Sequence, residues 1–196
     1  MKRSLRPAGV LSNLMLLALL MTAATVVAQV ERIDARARGT STQMGKDFDV
    51  KITLDQFSTP EDRKVMKAAF QKDGQEGLVK ALSKMKSVGR LGLPATVGYS
   101  IAYARSIPTP TGRKIRFVTD RPIAIREQTQ MTRSSGYELS AGEIDINDQD
   151  PSKSTGVLYP AAQLKVNKQG ELQFELFKNP WKLTNITDWN SKKKEQ

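Results

Sequence analysis

Asp47-Phe48-Asp49-Val50-Lys51-Ile52-Thr53-Leu54-Asp55 is the stretch that decides the fold class. Phe48, Val50, Ile52 and Leu54 fall on one side of an extended chain, and Asp47, Asp49, Lys51, Thr53 and Asp55 on the other. Side chains on a strand alternate with a period of two, so this pattern predicts a strand with one buried and one wet face. Strands of parallel sheets are buried on both faces, so one wet face points to an antiparallel sheet.

Downstream, the period changes. Thr59 can cap a helix, Pro60 suits its first turn, and Glu61 and Asp62 favour the positive end of its dipole. Val65, Met66, Ala69 and Phe70 recur at three- and four-residue spacing, and Asp73-Gly74 stops the run. A second helix follows over 75–86, with Leu78, Val79, Leu82 and Met85 inward. The two make a helical hairpin with a very short link.

From Gly89 the chain reads as strands and turns. In Thr96–Ile107, parity puts Tyr99, Ile101, Tyr103 and Arg105 on one face and Ser100, Ala102 and Ala104 on the other. Pro108-Thr109-Pro110-Thr111-Gly112 is a turn cluster, and Arg113–Thr119 returns with Ile115 and Phe117 inward. A further strand lies within Gly136–Ile146, followed by a polar loop over Asn147–Thr155. Val157–Val166, Leu172–Phe177 and Trp181–Trp189 read as a three-strand meander, the first two joined by an Asn167-Lys168-Gln169-Gly170 loop. The fold class is therefore α+β. It combines about seven antiparallel strands, as a sandwich or a half-open barrel, with one helical hairpin inserted after the first strand.

Upstream, Gln29 to Gly45 is polar and charged and reads as a flexible leader. Lys2, Arg3 and Arg6 precede an uncharged run from Val10 to Ala28 that closes Val26-Val27-Ala28. A positive start, an apolar middle and a small-residue end are the signature of a cleavable secretory signal, here Met1–Ala28. The expected organisation is a signal over 1–28, a leader over 29–45, a single domain over 46–190 and a basic tail over 191–196. No second long apolar stretch follows, so no transmembrane segment is expected once the signal is cleaved.

Removing 28 of the 196 residues leaves 168, enough for one real core. Cys is absent, so an exported domain must hold together by burial alone, which suits a bacterial setting. Without Lys2, Arg3 and Arg6, 28 basic side chains face 20 acidic ones, an excess of +8 that favours anionic partners.

The missing residue types exclude much chemistry. With neither His nor Cys, the chain has no Ser-His-Asp triad, no Cys-His pair, no thiol redox site and no Zn site built on those ligands. It also has no Gly-rich phosphate loop. Carboxylate chemistry remains, with Asp120, Glu127, Glu138, Glu143 and Asp145 as candidates, though nothing in their spacing selects a pair. Ser83-Lys84-Met85-Lys86 has the Ser-x-x-Lys spacing at a lysine-rich helix end, and Asp145–Asp150 has the oxygen density of a Ca²⁺ loop without its Gly or closing Glu. Both read as solvated surface, and no metal or cofactor is expected. Trp181 and Trp189 share one strand face by parity, as core or as a sugar platform.

The basic cluster is the best ligand candidate. Arg105, Arg113, Arg116 and Arg121 lie on two consecutive strands and just beyond, with Tyr99 and Tyr103 on the face of Arg105. Guanidinium forks suit carboxylate or phosphate, and the tyrosines add stacking surface. Specific nucleic-acid binding is not expected with so few aromatics.

Several stretches carry a resemblance. They are Val97-Gly98-Tyr99, Tyr103-Ala104-Arg105, Gly112-Arg113 and Phe117-Val118-Thr119-Asp120-Arg121-Pro122-Ile123. Gly77-Leu78-Val79-Lys80-Ala81-Leu82 and Pro180-Trp181-Lys182-Leu183-Thr184-Asn185-Ile186 belong with them. Together they resemble a family of uncharacterised secreted bacterial proteins. The resemblance implies export and a single domain, and brings no site or activity.

The expected function is a non-enzymatic binding or structural domain, secreted or periplasmic, with an anionic component of the cell envelope as partner. The alternatives are a carboxylate-dependent hydrolase acting on envelope glycan, or a carrier of a small apolar ligand. The carrier would hold its cargo in a barrel cavity lined by Tyr99, Ile101, Phe117 and Phe174.

Overall fold

A computed structural model of the chain describes residues 30–40, 44–123, 138–166, 172–176 and 180–190. The signal segment, the Asn167–Gly170 loop, Glu127 and the basic tail lie outside the described residues.

The deciding stretch is strand β2, Asp47–Leu54, with Val50, Ile52 and Leu54 buried as its alternation requires. The segment read as a flexible leader instead holds a strand of eight residues. β1, Glu31–Arg38, pairs antiparallel with β2 from Glu31 opposite Leu54 to Arg38 opposite Asp47. Its inward residues are Ile33, Ala35 and Ala37. Two alanines carry so little apolar signal that the period of two is masked by the charges between them.

Seven more strands follow the helix: β3 (Gly89–Gly92), β4 (Tyr99–Thr109), β5 (Gly112–Thr119), β6 (Leu139–Asn147), β7 (Thr155–Val166), β8 (Leu172–Leu176) and β9 (Trp181–Asp188). They form one sheet in the order β6-β5-β4-β3-β2-β1-β9-β7-β8, and β6 also pairs with β7. Eight strands thus close on themselves, with β8 attached to the far part of β7. The architecture is an antiparallel barrel, as one of the two expected alternatives had it, and the barrel is closed rather than half-open. The expected terminal meander is rearranged, since among the described residues β9 pairs with β1 and β7, and β8 pairs with β7.

Eight strands enclose a space that side chains can fill. Here Trp181, Phe117, Ile33, Ile52, Leu91, Ile101 and Ile115 are all fully buried in one cluster. The Phe48 ring leans on Trp181 with centroids 4.7 Å apart. Tyr99, Ile101 and Phe117, the expected lining of a dry cavity, share this interior with the other packed residues of the cluster.

Helix α1, Pro60–Leu82, begins with a reciprocal capping box. Asp62 N–H donates to Thr59 Oγ1 at 3.1 Å, and Thr59 N–H donates to Asp62 Oδ2 at 2.7 Å. Asp73 and Gly74 leave helical geometry, Gly74 at φ +62°. A Cβ added at Gly77 would stand 2.5 Å from the carbonyl oxygen of Ala69. A straight helix would separate residues eight apart by about 12 Å, so the two halves turn sharply at the break. This is the helical hairpin that the Asp73-Gly74 punctuation announced. It follows the second strand rather than the first. Met66, Leu78 and Leu82 pack on the outside of the barrel against Ala102, Val118, Leu139, Ala141 and Ala162. Small residues there let the helices come close.

Candidate functional site

The six residues expected to form an anion patch are distributed around the barrel. A bulge in β4 parts Tyr99 from Tyr103 and Arg105, while Arg113 and Arg116 fall on opposite faces of β5 by parity. Ile101 stands opposite Thr119 and Tyr103 opposite Val118, so one extra residue is inserted between them. An insertion of one residue exchanges the two faces of a strand. Tyr99 and Ile101 therefore join the barrel interior, while Ala102, Tyr103 and Arg105 turn outward.

Arg113 lies at the mouth of the barrel where β1 begins and β9 ends. Its Nη2 donates to Asp188 Oδ2 at 2.6 Å and to Glu31 Oε2 at 3.0 Å. Asp188 is only 4% exposed, so Arg113 serves as an internal counter-ion. Arg121, at the other end of β5, donates to the Gly98 carbonyl at 3.2 Å and sits 5.3 Å above the Tyr99 ring. Arg116 stands outside, opposite Arg105 across the β4–β5 ladder, and donates from Nε to Glu143 Oε2 at 2.6 Å. Lys114 reaches the same carboxylate at 2.8 Å. Burial pushes the Glu143 carboxyl up, but the hydrogen bonds from Lys114 and Arg116 outweigh it and hold it below its usual range.

Arg105 and Tyr103 remain, and they line a groove of about 640 Å³ on the outside of the barrel. Its floor is β4 at Tyr103, Arg105 and Ser106, and its near end is Phe57-Ser58-Thr59. Its wall is the first half of α1, through Pro60, Arg63, Lys64 and Lys67. These four stand at i, i+3, i+4 and i+7, which places them on one side of the helix. That spacing was in the sequence, but it lay beside the apolar stripe and was not read as a stripe of its own. Tyr103 is half-buried, and that burial raises its phenol above the usual value although the charges of Arg105 and Arg63 pull it down. The Asp62 carboxylate faces the same phenol but is committed to capping Thr59. Among the described residues, the one ion pair of Lys64 is a largely exposed contact to Glu61, at 4.0 Å. Arg105 and Lys67 make no ion pair among the described residues. The groove is thus lined by four cationic side chains, Arg63, Lys64, Lys67 and Arg105, beside the neutral phenol of Tyr103.

The Ser-x-x-Lys, acidic-loop and tryptophan candidates take structural roles. Ser83 Oγ donates to the Lys80 carbonyl at the end of α1. Asn147 Oδ1 accepts from the N–H groups of Gln149 and Asp150, which folds the acidic loop on itself. No group of metal-ligating side chains occurs among the described residues. Trp181 is core and Trp189 is 46% exposed, its Nε1 donating to Asp34. Asn185, at φ +51°, marks the irregularity in β9 that parts them. No helix among the described residues is long and apolar enough to cross a membrane.

Fold and groove together define a filled antiparallel barrel with an external cationic cleft under a bent helix. No family model, curated protein or solved structure matches the chain.

Proposed function

We propose that this protein is an exported, non-enzymatic binding domain of the bacterial envelope that takes an anionic ligand in the groove between α1 and β4. The single observation behind this reading is the lining of that groove. Arg63, Lys64, Lys67 and Arg105 converge on one cleft beside Tyr103. Like charges at i, i+4, as at Arg63 and Lys67, cost a helix roughly 0.2–0.5 kcal/mol, which an anion in the cleft would offset. A guanidinium beside a phenol suits carboxylate, sulfate or phosphate. Export rests on the Met1–Ala28 pattern and on the resemblance to secreted bacterial proteins. The hydrolase reading has less support, because Glu143 is held by two cations and Asp145 lies 3.5 Å from Lys114.

Retention on acidic-polysaccharide beads tests the proposal. Wild type should bind at low ionic strength and elute by about 0.5 M salt, where the Debye length is only a few ångström. The double variant Lys67→Glu/Arg105→Glu should elute far earlier. Lys51→Glu/Lys182→Glu changes the net charge equally on exposed strand positions away from the groove and should elute close to wild type. Equal losses in the two double variants would reduce the effect to net charge and end the proposal.

A further inference from the structure

The geometry points to an extended acidic peptide as the occupant of this groove, added as a strand to the edge of β4 beyond Ala104. This inference rests on the anion-binding reading above and specifies its ligand. β3 pairs with β4 only from Tyr99 to Ile101, so the rest of β4 runs past the end of β3. The chain entering α1 covers the next step. Ser58 N–H donates to the Ala104 carbonyl at 2.8 Å, and Ala104 N–H donates to Ser58 Oγ at 3.1 Å.

Backbone groups in an antiparallel strand alternate between its two edges. The β4–β5 register is continuous from Tyr103 to Thr109, so Ser106 points its N–H and C=O to the same edge as Ala104. Pro108 follows with a carbonyl alone. Neither Ser58 nor β3 reaches Ser106, and its edge opens into the groove. The cleft thus offers the amide donor and carbonyl acceptor of Ser106 beside Arg63, Lys67 and Arg105, with the Pro108 carbonyl next along the same edge. Main-chain pairing would supply affinity, and carboxylates at alternate positions of the guest would meet the cations. A lipid or glycan anion could meet the cations but could not continue a strand ladder along the edge.

The probe is a fluorescent peptide of about eight residues, alternating glutamate with threonine, read by anisotropy. Its control has the same charge but carries N-methyl groups on alternate amides, which prevents strand pairing. Wild type should bind the plain peptide about tenfold more tightly than the N-methylated one, the worth of one or two hydrogen bonds. Ser106→Pro removes the edge donor and should erase most of that preference. If this variant does not fold, the two peptides still decide the matter on wild type. Equal binding of both peptides would overturn the inference. So would retention on acidic polysaccharide without any peptide binding, which would leave the anion-binding groove standing. Failure of both ligands would remove both readings. A dimer seen by sedimentation, with no peptide bound, would assign the edge to a second copy and overturn the inference as well.

Discussion

Arg113 is shared between Asp188 and Glu31 where water is scarce, so its removal leaves two carboxylates facing each other. Breaking a buried ion pair by deleting one partner costs about 3–5 kcal/mol. Arg113→Leu should lower the unfolding free energy, read by urea titration, by that amount, and Asp188→Asn added to it should restore part of the loss. Opposite Phe117, Gly142 has no room for a side chain, because a Cβ there would overlap the ring. Gly142→Ala should therefore destabilise by about 1–3 kcal/mol, the usual range for overpacking. Gly92→Ala, with 3.6 Å to its nearest neighbour, should stay within about 0.5 kcal/mol by the same melt. Single residues also mark where sequence parity fails. Nothing in Ser100-Ile101-Ala102-Tyr103 signals the inserted residue, because a bulge is a property of pairing and leaves no required side chain. Tyr99 and Tyr103 consequently read as neighbours on one face when they lie on opposite faces.

Among elements, β2, β5 and the break at Asp73-Gly74 were legible because each depends on local alternation or on punctuation. β1 was not, since Ala35 and Ala37 are inward but barely apolar, fitting beside larger residues of neighbouring strands. Its pairing with both β2 and β9 makes it structural. Deleting residues 30–40 should abolish the cooperative thermal transition by circular dichroism. The ladder between β5 and β6 adds a pH prediction. Glu143 is held below its ordinary 4.5, so its contribution is present above that value and fades as pH falls through the lowered one. Lys114 is raised above 10.5 by its hydrogen bond to Glu143, so its contribution is present below 10.5 and fades as pH rises further. Glu143→Gln should thus be less stable than wild type by about 1 kcal/mol between roughly pH 5 and 10. The two melting curves should converge once the pH has fallen below the lowered value. Partial exposure of the cluster keeps this effect small.

For the whole molecule, antiparallel sheet and the added helices followed from short-range pattern, whereas closure did not. The seam pairs Ile33 with Asp188 and Arg38 with Lys182, and no local periodicity encodes so distant a match. The site was half legible for the same reason. Arg105 and Tyr103 were singled out, but the helix that faces them reaches them only through the tertiary fold. The seam also bears on biogenesis. Strands one through eight can form only an open ribbon with unpaired borders until the last one arrives. A chain still held by a ribosome or a translocation pore therefore stays threadable until about residue 188 has emerged. Compaction then comes as one late event, of the slow kind that long-range pairing imposes.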